Sequence, residues 1–392
     1  DTSFSLLYGF AFALFYTVLG LAFGRIVDGA NRVRVLALCI LLWSAATFAC
    51  GLAETFPQLF VARMLVGVGE AGLAPAAYSL IADLYSPSKR PRAFALFTMG
   101  MYLGSGLAFA GGGQLVAYLD AFPPVDLPLL GTVRSWQLAF FLAGAPGIAL
   151  ALVLALVREP RRGQDEGGPT QATTQSPSVA AFLAHIRSRW PAYLAHHAGF
   201  GLHIGYGYAI SAWLPVFYMR VHGVPTGTVG LWFGLAVVTA GPLGAWIGSV
   251  MVQRANRAGV GESQLRLTAV ACLAQLGAVL LAVSAPSLAL SAVGTLAAIM
   301  LIGFPAGLNA ASLQIITPAS FRGQAGGLFI LISNLLGLGL GPLIVALLTD
   351  RVYGAPTAVG WSLATLGAIA LPAAFLALRR GSPHFADRRT GS

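Results

Sequence analysis

Long apolar runs leave few carriers for chemistry, and in this chain two residues stand out. Glu70 and Arg63 fall within one apolar stretch near residues 58–82. They are seven positions apart, nearly two turns of an α-helix, so both lie on almost one face, about 10 Å apart along the axis. A lone charge at the bilayer centre costs on the order of 3 kcal/mol on insertion scales. Both residues are therefore expected to face a cavity rather than lipid. The guanidinium keeps its proton, whereas the carboxyl can alternate between protonated and ion-paired states. That asymmetry makes Glu70 a candidate for proton coupling and Arg63 a fixed positive charge for an anionic group. A static pair joining helices is the alternative use of the same residues. Tyr102, Tyr206, Tyr208, Asn309 and Gln314 are polar side chains in other apolar runs and are expected to share the cavity.

The elements that position them follow from composition. The chain is 57% hydrophobic and 9% charged, with mean hydropathy +0.78, far from the range of soluble domains. A span needs roughly 20 apolar residues. Such runs occur near 4–28, 34–53, 58–82, 93–119, 137–157, 191–219, 227–252, 266–284, 288–316, 323–349 and 358–378. They are too long and too uniform for strands of a membrane barrel. The expected fold class is an all-α membrane protein with eleven spans.

The net charge of +10 is not a nucleic-acid footprint, because the bases alternate between loops. Arg25, Arg32 and Arg34, then Lys89, Arg90 and Arg92, then Arg254, Arg257 and Arg266 fall on one side, while Glu54, Asp120, Asp126 and Asp350 fall on the other. This positive-inside asymmetry places the 24–34 turn and the 379–392 tail in the cytoplasm. The first residue then lies outside. A first span is expected to be missing, so that the complete protein has twelve. Cys39, Cys50 and Cys272 lack metal-ligand spacing and are expected to pack. No phosphate-binding loop, metal cluster or nucleophile–base pair is present, so neither enzyme nor ATP-driven pump is expected, and no cofactor. No repeated filter suggests a channel.

A polar, glycine- and proline-rich stretch at 158–189 reads as a cytoplasmic linker. It separates a first half, 1–157, from a second, 190–378. The halves repeat each other weakly. Asp28-Gly29-Ala30-Asn31-Arg32 matches Gln253-Arg254-Ala255-Asn256-Arg257, and the segment from Pro87 to Ala93 matches that from Pro318 to Ala325. Gly199, Gly201, Gly205 and Gly207 suggest a flexible, partly unwound span. Gly303, Pro305 and Gly307 suggest a bend in another. His196 and His197 sit near a span end and are expected at the interface. The cavity is otherwise apolar, which suits an amphiphile with one small charged head.

The turn Gly24-x-x-x-Asp28-x-x-x-Arg32-x-Arg34 resembles the loop signature of the major facilitator superfamily of secondary transporters. Arg63-x-x-x-Gly67-x-Gly69 is similar to a second motif of that superfamily. Its continuation through Gly69-Glu70-Ala71, Pro75-Ala76-Ala77 and Ser79 to Leu84 resembles the spinster branch, concentrated in residues 63–106. The resemblance implies two six-helix halves with substrate near midplane, a bacterial inner-membrane location and a monomer. It implies lysophospholipid or sphingoid substrates, with proton coupling. It also implies an Asp-Arg pair in the missing first span, facing Glu70. A small organic anion, sugar or drug-like compound is the alternative substrate. The glycines from Gly104 to Gly113 and from Gly337 to Gly341 resemble an antiporter motif, although close packing explains them equally. A cytoplasmic gate is expected from Gly24, Asp28, Arg32, Asp83, Arg92 and Arg322, with Asp28 at the helix N-terminus around Arg322 to Gly326.

Overall fold

The computed structural model describes residues 1–86, 89–121, 125–127, 131–160, 178–260 and 262–386. Helix dominates, and each expected span has a helical counterpart. Among the described residues nine helical runs are long and apolar enough to cross a membrane: Arg32–Gly51, Phe56–Leu84, Arg92–Leu119, Ser135–Ala155, Thr226–Arg257, Ser263–Ser284, Leu288–Ile316, Arg322–Tyr353 and Pro356–Gly381. Ala11–Gly29 and Trp190–His222 are helical as well. Large apolar side chains stand exposed on them: Leu96 and Leu107 are 68% and 69% exposed, a cost in water but not in hydrocarbon.

Two compact units divide the chain. One comprises Ser3–Ala172 with Pro225–Leu231, the other Asp1–Thr2, Thr173–Val224 and Trp232–Ser392.

In the first unit, Arg32–Gly51 packs against Ser135–Ala155 and Phe56–Glu70, and Ala11–Gly29 packs against Phe56–Glu70. Small residues allow these approaches. A Cβ on Gly144 would meet the Ser44 carbonyl at 2.8 Å, and one on Gly51 would meet the Gln137 carbonyl at 2.7 Å. Ala46, Cys50, Ala62 and Val66 form a buried cluster among these helices, with Phe12, Trp43 and Phe140 against it. Val125–Leu127 and Gly131–Val133 pair as an antiparallel hairpin with Val125 opposite Val133. Strands of this length carry too little periodicity to be read from sequence.

In the second unit, Trp190–His222 packs against Val359–Gly381, which also packs against Ser263–Ser284. Two expectations are corrected here. The helix from Trp190 to His222 is unbroken, because Gly199 and Gly205 seat neighbours rather than unwind. A Cβ on Gly199 would strike the Leu378 side chain at 2.5 Å, and one on Gly205 would meet the Leu336 carbonyl at 3.1 Å. His196 and His197 are buried, not interfacial; the Nε2 of His196 pairs with the Asn309 carbonyl at 2.8 Å, and Phe329 packs edge-on against both rings. The 158–189 linker ends in a ten-residue helix, Val179–Ser188, capped by Ser178 and anchored by buried Phe182. Residues 161–177 of that linker lie outside the described residues.

The expected bend is present. Leu288–Gly303 and Leu308–Ile316 are separate helices joined through Pro305 and Gly307, whose φ is 83°. The run Arg322–Tyr353 contains two π-helical segments, Leu335–Leu340 and Leu348–Tyr353.

Candidate transport site

The helix carrying Arg63 and Glu70 starts at Phe56, where the Gln58 side-chain carbonyl accepts from the backbone N–H of Glu54 and Thr55 at 2.8 and 3.1 Å. Its two motif glycines have a direct packing role. A Cβ on Gly67 would lie 2.6 Å from the Phe12 carbonyl, and one on Gly69 would lie 2.5 Å from the Trp43 nitrogen. Each glycine lets a neighbouring backbone press against this helix and fixes its rotation. Arg63 and Glu70 consequently hold one phase, both half-buried. Their charges interact through space, yet among the described residues neither closes an ion pair within 4.0 Å.

A series of aromatic contacts leads away from this acid. Glu70 acts electrostatically on Tyr16, which also feels Tyr78. Tyr16 stacks on Phe12 with ring centres 5.2 Å apart. Tyr78 packs in T-shaped contacts with Phe94 and Phe97, ring centres 5.6 and 5.5 Å apart. Sequence reasoning missed Tyr16 and Tyr78. The available signal was the aromatic spacing 12, 16 and 94, 97, which puts each pair on one helix face. Tyr102 is half-buried on the Arg90–Leu119 helix.

The polar residues expected in the second unit divide by role. Tyr206 is 1% exposed, its hydroxyl donates to the Leu363 carbonyl at 3.0 Å, and its ring fills the space beside Gly367. It is a packing residue, which corrects its assignment to the cavity. Removing that hydroxyl should cost about 1 kcal/mol. Tyr206→Phe is thus expected to lower the melting temperature in detergent slightly, with substrate affinity unchanged. Tyr208 is half-buried with its ring against Gly337. Asn309 is half-buried just after the helix break, and its side chain accepts from the Ala310 N–H at 2.6 Å. Gln314 is exposed.

Of the expected gate residues, Arg32 and Asp83 meet. Arg32 is 1% exposed and lies between two carboxylates: Asp83, and Glu159 at 2.6 Å from its Nε. Its guanidinium also donates to the Ser79 carbonyl and hydroxyl and to the Pro160 carbonyl, at 3.2, 3.1 and 3.2 Å. Glu159 further accepts from the Val33 N–H at 2.9 Å, placing a negative charge on the N-terminus of the Arg32–Gly51 helix. Asn31 caps the same helix, accepting from the Arg34 N–H at 2.8 Å. Its counterpart in the weak repeat, Asn256, also serves a turn, accepting from the Ser263 hydroxyl at 2.5 Å. Arg92 and Arg322 are exposed and hold no ion pair among the described residues, so the structure does not join them to this cluster. The side chains of Gly24 and Asp28 lie outside the described residues.

Comparison with known proteins agrees with this architecture. The family described as Major Facilitator Superfamily matches residues 1–342. An MFS-type efflux pump of Mycolicibacterium smegmatis is 30% identical over 247 residues, 63% of this chain and 53% of that protein. Human protein spinster homolog 1 is 29% identical over 364 residues, 86% of this chain and 64% of that protein. The chain thus spans between about half and two thirds of the length of these relatives. A crystal structure of a bacterial homologue of the human lysosomal transporter spinster, inward-facing and unoccupied, superimposes with TM-score 0.78 and 25% identity, covering 98% of this chain and 88% of that one. With spinster proteins among its relatives and the Arg63–Glu70 motif seated as described, the chain belongs to the Major Facilitator Superfamily of multi-pass membrane transporters.

Proposed function

We propose that this chain is a secondary active transporter of an amphiphilic, lipid-like substrate of lysophospholipid or sphingoid type, coupled to protons through Glu70. The supporting observation is a charged locus, Arg63 with Glu70, acting electrostatically on Tyr16, from which aromatic contacts run to Phe12 and, by way of Tyr78, to Phe94 and Phe97. One fixed cation suits a phosphate or zwitterionic head, and the rings suit an acyl chain. In this reading the halves 1–157 and 190–378 move against each other by alternating access. The protein is a monomer in a bacterial plasma membrane with its C-terminal tail in the cytoplasm, and Arg32 with Asp83 and Glu159 belongs to the cytoplasmic gate.

The relatives also support a second substrate class. Besides the efflux pump, a benzoate transport protein of Acinetobacter baylyi is 32% identical over 185 residues, 44% of this chain. Counterflow in proteoliposomes separates the two. Vesicles preloaded with unlabelled lysophospholipid are expected to accumulate the labelled lipid transiently. Counterflow of benzoate, with none of lysophospholipid, would replace the lipid reading by the organic-anion one.

A further inference from the structure

Behind the helix break in the second unit lies a polar strip unrelated to Arg63 and Glu70. Thr268, Cys272 and Gln275 follow one another at helical spacings of four and three residues on Ser263–Ser284, so they share one face. All three are 0% exposed, as is His203 on the facing helix. The Nδ1 of His203 sits 3.7 Å from the Cys272 sulfur. Four polar atoms of this strip have no hydrogen-bond partner among the described residues: Nε2 of His203, the Thr268 hydroxyl, and both polar atoms of the Gln275 amide. Buried groups of this kind are seldom left unpaired.

The adjacent backbone is also short of donors. The Leu301 carbonyl would normally accept from residue 305, which is a proline without an N–H. The Ile302 carbonyl would normally accept from Ala306, whose N–H instead goes to Gly303 at 2.9 Å. The His203 ring sits within hydrogen-bonding reach of both carbonyls, although its Nε2 meets neither in strict geometry. The strip therefore offers both donors and acceptors and no fixed charge. That balance fits a neutral ligand that both gives and accepts hydrogen bonds.

We propose that His203, Thr268, Cys272 and Gln275 form a binding site for a small cluster of internal water molecules, which bridge the strip to the Leu301 and Ile302 carbonyls. A water needs two to four polar partners to reside in a protein interior, and the strip with the two carbonyls supplies them. The cluster completes the hydrogen bonding of the interrupted helix, as ordered waters do for broken helices in membranes. It lets the two segments either side of Gly303–Gly307 tilt without leaving carbonyls bare.

The three buried cysteines provide the test. Brief X-ray radiolysis generates hydroxyl radicals from whatever water is nearest, and thiols react with them rapidly. In the intact protein in lipid nanodiscs, Cys272 is expected to oxidise several-fold faster than Cys39, which is also buried but packed against Gly72 beside Phe23. Equal rates at the two thiols would overturn the proposal. Gln275→Leu gives a second readout whose sign decides. Where water bridges the amide, the substitution strips that network and lowers the melting temperature. Where the amide is simply unpaired, leucine removes a buried polar burden, and a melting temperature unchanged or raised refutes the site.

Discussion

Glu70→Gln is expected to leave counterflow intact and to abolish accumulation driven by a pH gradient. Glutamine keeps the shape of the protonated acid and fixes its neutral state, so the proton loses its means of biasing one conformation over another. A gradient of one pH unit is worth about 1.4 kcal/mol per proton, which supports up to about tenfold accumulation at one proton per substrate. The variant should fall to no accumulation at any gradient, measured in proteoliposomes beside wild type. Arg63→Ala should differ in kind. It removes the fixed cation and is expected to weaken binding of anionic or zwitterionic heads. Wild-type transport indifferent to the gradient would remove the coupling role from Glu70 and make the protein a uniporter.

The second large effect is expected at Arg32. Truncation leaves Asp83 and Glu159 facing each other without the cation between them, and removes donors to Ser79 and Pro160. Breaking a buried ion pair from one side costs roughly 3–5 kcal/mol. Asp83 and Glu159 are 21% and 22% exposed, so solvent takes up part of that penalty and Arg32→Met should cost about 3 kcal/mol. Arg32→Lys should recover only a fraction, since a single ammonium cannot reproduce the planar fork that reaches both acids and the carbonyls. Thermal unfolding followed by size-exclusion chromatography reads the loss. A double-mutant cycle of Arg32→Met with Glu159→Gln should show clear coupling; additive losses would mean that the two residues do not act together.

The spans were legible because length and apolarity are set by the bilayer and need no tertiary information. Pro305 and Gly307 disclosed a helix break for a similarly local reason: one lacks a donor and the other tolerates a positive φ. Arg32 and Asp83 were readable as members of one charged gate, but Glu159 was not. It sits in a linker whose composition gives no hint of which helix end it reaches. The helix Val179–Ser188 was not legible, because glycine- and proline-rich surroundings mask so short a run. His196, His197 and Tyr206 were misplaced because a polar residue's position along a span does not reveal its direction around the helix. For Tyr206 the deciding fact is a glycine far along the chain, Gly367, which leaves room for its ring.

The two π segments of the Arg322–Tyr353 run set the rotational register of everything that follows them. A π turn accommodates one residue beyond the α-helical count, and each residue advances the azimuth by about 100°. Excising a single residue from Leu335–Leu340 would restore ordinary helix and swing everything after it through roughly that angle. Pro342 would then turn its carbonyl away from the Trp213 indole, which now donates to it at 2.9 Å, and Thr349 would leave the Ser362 hydroxyl, now 2.8 Å away. Lineages that gained or lost a residue there would present a different stripe of the same amino acids to the bundle. In this stretch an alignment gap is a rotation, and homologous columns need not mean homologous faces.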